Sequence, residues 1–410
     1  MRLLPMFLRA AVPALVLSLG VAVAPAHAWA VSPPTDVRGV LSTQVRLHIA
    51  WEAVPGESYY QVMYASRSDF VGRKIVKPIQ GTSYALTSLT PGTRYYFRVG
   101  VTDAAGNPRS DWSATASYVT KQLMRISVAT YNIKDPDSTS QGPWSTRGPR
   151  SAAAVLSQGV KLLGVQEVFE DNEREDFVDF INSAAGGGSN YVMVPAPSSD
   201  SGQDSRVVFD QRVFQHLESG GASFGYQYGS EERAYAWGKF QHYASGRHLL
   251  FVTTRLSPRS DYADVRQWTA LLEWVKRKVA ASSVPLYVII AGDFNTTKFE
   301  PPATMLAKSR SYGYEDVLGQ IRDSYSTYRN PTQRVDANIS TSNKGCLNLT
   351  NCNGKSLVVA SGRNSNSIDY IFVSKALKAP YYRVYAQPRD GYVMRYLMSD
   401  HFMVRAVISQ

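Results

Sequence analysis

Five short segments of the chain set a carboxylate, an amide or an imidazole beside a run of apolar residues. Asn132 closes Ala129-Thr-Tyr-Asn132, and Glu167 follows Val165-Gln166. Asp293 and Asn295 stand in Gly292-Asp-Phe-Asn295, Asp369 in Ile368-Asp-Tyr370, and Asp400 and His401 in Ser399-Asp-His-Phe402. Polar groups at the tips of apolar strands are how a rigid sheet presents chemistry to a cleft. The residue types suit hydrolysis of a phosphoester. Carboxylates hold a hard divalent cation, a histidine paired with a carboxylate moves protons near neutral pH, and amides place water and phosphate. Each motif alone is weak, because Asp-x-Asn is ordinarily a turn and Asp-His ordinarily a surface pair. Their order and strand context together are specific.

Positioning these groups requires a layered scaffold, and the hydrophobic pattern from Met124 onward supplies one. Strands are expected over Arg125–Tyr131, Leu162–Gln166, Arg206–Asp210, His248–Thr254, Val284–Ala291, Ser367–Val373 and Phe402–Ile408. Helices are expected over Arg150–Ser157, Asp176–Ala184 and Tyr262–Ala280, the last with Trp268, Leu271, Leu272 and Val275 at helical spacing. The pattern is α/β, with sheets packed together and helices outside. The glycines of 184–188 lack the lysine and hydroxyl residue of a phosphate loop and read as a turn. Residues 338–366, rich in Ser, Asn and Gly, read as a long surface loop. They contain both cysteines, Cys346 and Cys352, which would close a local disulfide in an exported protein; two free thiols are the alternative.

At 410 residues the chain has room for two domains. Residues 1–30 read as a secretory signal peptide. Arg2 and Arg9 flank the start of an apolar run, and Ala26-His-Ala28 and Ala28-Trp-Ala30 offer cleavage sites, with Ala28 favoured. A membrane anchor is the alternative, but the run is short and holds Pro13 and Gly20. No later stretch is apolar enough to cross a bilayer, so the mature chain is expected to be extracellular and monomeric. Loss of Arg2 and Arg9 lowers the formal charge from +11 to +9, which favours nucleic acid or an anionic lipid surface as partner.

Residues 31–121 read as short alternating strands between turns, an all-β sandwich. They resemble a fibronectin type III domain: Trp51 on an early strand, Leu89-Thr-Pro-Gly-Thr-Arg-Tyr95 entering a tyrosine-corner strand, and Ser110-Asp-Trp-Ser113 as a late loop. A spacer role is expected, since no catalytic cluster occurs there.

Residues 122–410, through the five motifs above, resemble the endonuclease/exonuclease/phosphatase superfamily, which includes deoxyribonuclease I-like nucleases, neutral sphingomyelinases and inositol polyphosphate phosphatases. The resemblance implies a four-layer αββα sandwich and a divalent cation, magnesium with manganese or calcium as alternatives. It implies Glu167 as the principal metal ligand, with Asn132 and Asp400 beside the metal. Asp293 would orient or deprotonate water, Asn295 would contact phosphate, and Asp369 would hold His401 against the scissile phosphate or as base. One departure stands out: Thr254-Arg255-Leu256 carries arginine where many members carry histidine. Arginine cannot donate a proton near neutral pH, but it can clamp phosphate. Arg206 is a second candidate for substrate contact, and Arg233 reads as structural. The function implied is a secreted metal-dependent phosphodiesterase, most naturally a DNA nuclease. A sphingomyelinase-like phospholipase acting on choline lipid, a phosphomonoesterase and an inactive binding protein are the alternatives. No long aromatic-rich insertion of the kind membrane-acting relatives use is evident, though the loop around Tyr381-Tyr382 and Tyr392–Tyr396 is aromatic.

Overall fold

The computed structural model describes Trp29 and residues 31–138, 142–168, 171–188, 190–194, 204–225, 233–258, 261–296, 321–323, 333–343, 346, 367–386, 388–389, 392–393 and 398–410. The signal-peptide stretch apart from Trp29, Cys352 and most of the 338–366 loop lie outside the described residues. The chain forms two compact units: one from residues up to Leu41 with His48–Leu86 and Arg94–Tyr118, the other from Ser42–Leu47, Thr87–Thr93 and Val119–Gln410.

The first unit is built on β1 (Arg38–Ser42), β2 (Leu47–Ala50), β3 (Tyr59–Ala65), β4 (Lys74–Gln80), β5 (Ser83–Leu86), β6 (Arg94–Thr102) and β7 (Ala116–Val119). They make a three-stranded sheet, β1-β2-β5, and a four-stranded sheet, β4-β3-β6-β7. Trp51 is buried and meets the Tyr60 ring edge-on at 5.4 Å.

The second unit runs β8 (Arg125–Asn132), α1 (Trp144–Ser157), β9 (Leu162–Gln166), α2 (Asp171–Ala184), β10 (Tyr191–Met193), β11 (Ser205–Asp210), β12 (Phe214–Ser223), β13 (Ala234–His242), β14 (His248–Arg255), α3 (Asp261–Ala280) and β15 (Leu286–Asp293). It continues with β16 (Ile321–Asp323), β17 (Arg334–Val335), β18 (Asp369–Ser374), β19 (Lys378–Tyr385), β20 (Pro388–Arg389), β21 (Tyr392–Val393) and β22 (Met403–Ser409). A seven-stranded sheet, β10-β11-β9-β8-β22-β19-β17, and a six-stranded sheet, β12-β13-β14-β15-β18-β16, hold most of these strands.

Strands such as β15, Leu-Tyr-Val-Ile-Ile-Ala-Gly-Asp, are apolar on both faces because both faces are covered. Inward residues of the two sheets, among them Val128, Val207, Phe251, Ile289 and Ile371, form one cluster. On the outer faces, α1 and α2 contribute Val155 and Phe177 to a second cluster, and α3 contributes Trp268, Leu271 and Leu272 to a third. Trp268 is fully buried, so its face of α3 is the one the sequence pattern marks.

Four expectations need correction. α1 starts at Trp144 rather than Arg150, because Gly148 and Pro149 disguise its first turns. β12 and β13 form a long antiparallel pair where no element was expected; the Glu-Ser-Gly-Gly stretch in β12 has low strand propensity and is held by its pairing partner. Tyr381 and Tyr382 are not in a loop but inside β19, where Tyr382 is buried. The unit is also richer in sheet than the alternating pattern suggested, with three helices among the described residues.

Candidate active site

Two parallel pairs set the geometry. β8 and β9 pair in parallel across α1, and β14 and β15 pair in parallel across α3. Parallel strands end at the same edge of their sheet. The register puts Asn132 opposite Gln166 and Arg255 opposite Asp293. Asp369 opens antiparallel β18 opposite Asp293, and His401 lies just before β22, which runs antiparallel to β8. Strand direction alone therefore gathers the polar tips at one end. Gly292 is required by this register, because a Cβ there would overlap the Thr254 carbonyl.

Buried hydrogen bonds tie the two sheets together beneath the tips. Gln166 accepts from Thr130 Oγ1 at 3.2 Å and donates to Thr253 Oγ1, in the facing sheet, at 2.8 Å. One layer above, Asn132 Nδ2 donates to Glu167 Oε1 at 2.9 Å and to Asp293 Oδ2 at 3.1 Å. Glu167, Lys134 and Asn295 have φ of 63°, 60° and 52°. Left-handed backbone at non-glycine residues costs energy and collects at functional sites.

Glu167 is surrounded by donors. Arg255 Nη2 lies 2.7 Å from Oε1, the Asp135 amide donates to Oε2 at 2.9 Å, and Lys134 Nζ is 3.8 Å from Oε2. Burial pushes the Glu167 carboxyl up, but Arg255, the Asp135 and Asn132 donors and Lys134 together hold it at about 2. Arg255 reaches three carboxylates: Glu167, Asp204 Oδ2 at 2.9 Å and Asp293 Oδ2 at 3.7 Å. Asp204 also meets Arg233 Nη1 at 3.3 Å. Lys134 Nζ stands between Glu167 and Asp400, 3.5 Å from Asp400 Oδ2.

His401 Nδ1 is 2.9 Å from Asp369 Oδ2, and Nε2 turns toward Asp293 Oδ2 at 3.9 Å. Burial works against the imidazolium, but the Asp369, Asp293 and Asp400 charges outweigh it and push its pKa up to about 10. Burial, with the Asp369 charge, raises Asp293 above the usual carboxylate range against the pull of His401 and Arg255. Thr341 Oγ1 accepts from the Asp369 amide at 3.1 Å, and Ser399 Oγ bonds the Asn132 carbonyl at 2.6 Å. Asn295 Nδ2 donates to the Leu256 carbonyl at 2.8 Å.

The structure thus brings together Asn132, Glu167, Arg255, Asp293, Asp369, Asp400 and His401. Arg206 is 2% exposed and donates to the Ser205 carbonyl at 2.8 Å, close in sequence to Asp204. Sequence reasoning missed Lys134, Asp204, Gln166 and Arg147. Arg147 is 1% exposed, and its guanidinium donates to the carbonyls of Ile133, Lys134, Asp135, Ser138 and Met398. It fixes the loop whose Asp135 amide holds Glu167. A helical arginine in a polar stretch carries no sequence signal for this, and Asp204 sits in a run of Ser, Gly and Asp that reads as plain loop.

The donor set suits a hard cation. Glu167 and Asp400 already flank one positive charge, that of Lys134, and atoms of Asp293, Asp369 and His401 lie within 4.8 Å of one another. In the latter group His401 and Asp369 are bonded to each other, so a cation seated there would break that pair.

A mixed α/β unit with two facing sheets and a strand-tip cluster of this chemistry defines a class of phosphoester hydrolases. The sequence matches the Endonuclease/Exonuclease/phosphatase family over residues 22–401, and the chain belongs to that family. No curated protein matches it. Among solved structures it is similar to an endonuclease/exonuclease/phosphatase family protein from Bacteroides thetaiotaomicron, with a TM-score of 0.55 and 20% identity over 71% of this chain and 96% of that one. It is also similar to a mannosyl-6-phosphatase from the same organism, with a TM-score of 0.54 and 20% identity over 69% and 99% of the two chains. A protein of unknown function from Enterococcus faecalis gives 0.51 and 18% over 70% and 100%. At these identities the likeness concerns the fold.

Proposed function

We propose that the protein is a secreted, divalent-metal-dependent phosphodiesterase acting on nucleic acid, with DNA as the first substrate to test. The observation that carries this reading is the convergence of Asn132, Glu167, Asp293 and the Asp369–His401 pair at one end of two facing sheets. Glu167 and Asp400, beside Asn132, would hold a divalent cation, magnesium before manganese or calcium, which would supply neutralisation of the phosphate oxygens. Asp293, raised by burial, accepts a proton from the attacking water while Asn132 fixes its orientation. His401, kept cationic by Asp369, holds the scissile phosphate. Arg255 offsets the negative charge that develops on the phosphate, and Asn295 has a second Nδ2 hydrogen to offer it. Arg206, 2% exposed with Nη1 on the Ser205 carbonyl, braces backbone beside Asp204 rather than meeting substrate as the sequence suggested.

The basic start, apolar run and Ala-x-Ala ending of residues 1–30 support secretion. The spacing of Cys346 and Cys352 supports their disulfide, and no cysteine is free among the described residues. The two sheets of the first unit, with three and four strands, support its reading as a fibronectin type III-like spacer over residues 31–121 ahead of a catalytic domain over 122–410. Net positive charge supports a polyanionic substrate.

The test is a screen of mature protein on DNA, RNA, sphingomyelin and a generic aryl phosphodiester, with and without chelator. Metal-stimulated cleavage of DNA is expected, and His401→Ala should lower it by about 100-fold to 10,000-fold. Cleavage of sphingomyelin alone would move the reading to a phospholipase. No cleavage of any diester would leave a binding protein.

A further inference from the structure

A cavity of about 210 Å³ lies on the outer face of the six-stranded sheet, between α3 and the strands β12 and β13. Its lining includes the rings of Phe224, Tyr235 and Trp274 and the side chains of Arg266, Arg277 and Gln267. The Phe224 and Tyr235 centroids are 5.4 Å apart, and those of Tyr235 and Trp274 are 4.9 Å apart. Trp274 is half-buried, so part of its ring faces the cavity.

Gln267 gives the site its direction. It is 1% exposed, and its Oε1 accepts the Ser257 amide at 2.9 Å. That bond fixes which end of the amide is oxygen. The other end, Nε2, has no hydrogen-bond partner among the described residues. A buried donor left unmade is costly, and Gln267 lines the cavity, so a ligand acceptor that draws its side chain outward would satisfy it.

The lining selects a planar ring that carries acceptors and is joined to an anion. The exposed part of the Trp274 ring offers a face for stacking, the Gln267 amide donates to a ring carbonyl or nitrogen once drawn outward, and exposed Arg277 on α3 supplies positive charge. An acyl chain would leave the amide unmet. A nucleobase on its phosphate meets all three conditions.

The position fits the same ligand. Ser257, held by Gln267, is two residues beyond Arg255, so their Cα atoms are within about 7.6 Å. Tyr235 pairs with Thr254, the residue before Arg255, and the carbonyl of the intervening Leu256 holds Asn295. The cavity therefore adjoins the strand end that carries the phosphate-handling groups.

We propose that this cavity is a nucleobase subsite, which takes the base of a nucleotide flanking the scissile phosphate. This rests on the phosphodiesterase reading, and two measurements separate the two. First, nucleoside monophosphate is titrated into chelated full-length protein by calorimetry. Wild type binds, and Trp274→Ala and Arg277→Ala each weaken binding by about tenfold. Second, wild type and Trp274→Ala are compared on an oligodeoxynucleotide and on the same oligonucleotide with abasic positions beside the cut. The wild-type preference for the intact strand should fall about tenfold in Trp274→Ala, chiefly through KM. Arg277 is exposed, so its variant keeps the test valid if loss of Trp274 disturbs packing. Equal losses on both substrates, or nucleotide binding unchanged in both variants, would overturn the subsite. Binding to the cavity without any diester cleavage would keep the subsite and overturn the enzyme.

Discussion

Arg255→Met removes one cation from the middle of three carboxylates while keeping most of the side-chain packing. Arg255 is 2.7 Å from Glu167, 2.9 Å from Asp204 and 3.7 Å from Asp293, and its side chain is 17% exposed. Water can replace little of that charge. Breaking a buried ion pair from one side costs about 3–5 kcal/mol. For a unit of this size that corresponds to a fall in Tm on the order of 10 °C in chelated protein. A divalent cation should reverse part of the fall, because it would supply the missing charge. It should also bind more tightly than in wild type. Two unit charges about 4 Å apart interact by about 4 kcal/mol at an effective dielectric of 20, so the guanidinium opposes a cation on Glu167 by an energy of that order. Allowing most of it to be relieved by motion of the arginine, removal should still strengthen binding at least about tenfold, or 1.4 kcal/mol. Calorimetric titration of manganese or magnesium into chelated wild type and variant, with melts of both, measures the two effects. A variant that binds the cation no better than wild type refutes the idea that Arg255 and the metal compete for Glu167.

Three more expectations follow from the site. In chelated protein, NMR titration should show His401 protonated to about pH 10, and Asp369→Asn should bring its pKa down, since burial opposes the charge once the partner is neutral. Because the folded pKa lies above the unfolded one, this group's contribution to stability is complete below about pH 6.5 and lost as pH rises through about 10. Arg147→Met should destabilise the protein by about 3 kcal/mol or more in denaturant melts, because several buried carbonyls lose their donor; it should also weaken cation binding through the displaced Asp135 amide. Wild-type cation affinity in that variant would show that the loop holds without Arg147. Gly292→Ala should cost about 1–3 kcal/mol, with activity falling as β14 and β15 are forced apart; an unchanged melt would refute the close approach.

The polar strand tips were legible because each stands next to an apolar run, and strand direction does the rest. Asn132, Glu167, Asp293, Asp369 and His401 needed no long-range information beyond the order of strands. What was hidden depends on neighbours far along the chain. Asp204 becomes a partner of Arg255 only because β11 lies in the sheet that faces β14. β12 escaped notice because its polar, glycine-bearing sequence is a strand only when paired with β13. Arg255 was visible as a departure from the histidine of related sequences, but its three carboxylate partners were not. Sequence showed an arginine where the family it resembles often carries histidine, and the structure shows what surrounds that arginine: three carboxylates.

The Thr130–Gln166–Thr253 bridge and the Asn132–Asp293 bond rivet one sheet to the other directly under the cleft. A mouth bolted at its base resists gaping or pinching as cargo arrives. For the nucleic-acid substrate proposed above, fit would then come from the polymer, which would bend or unstack to bring its phosphorus down to a fixed anvil. Stiff duplex and supple single strands would differ in how readily they make that bend, so selectivity can arise from mechanics before any base is touched.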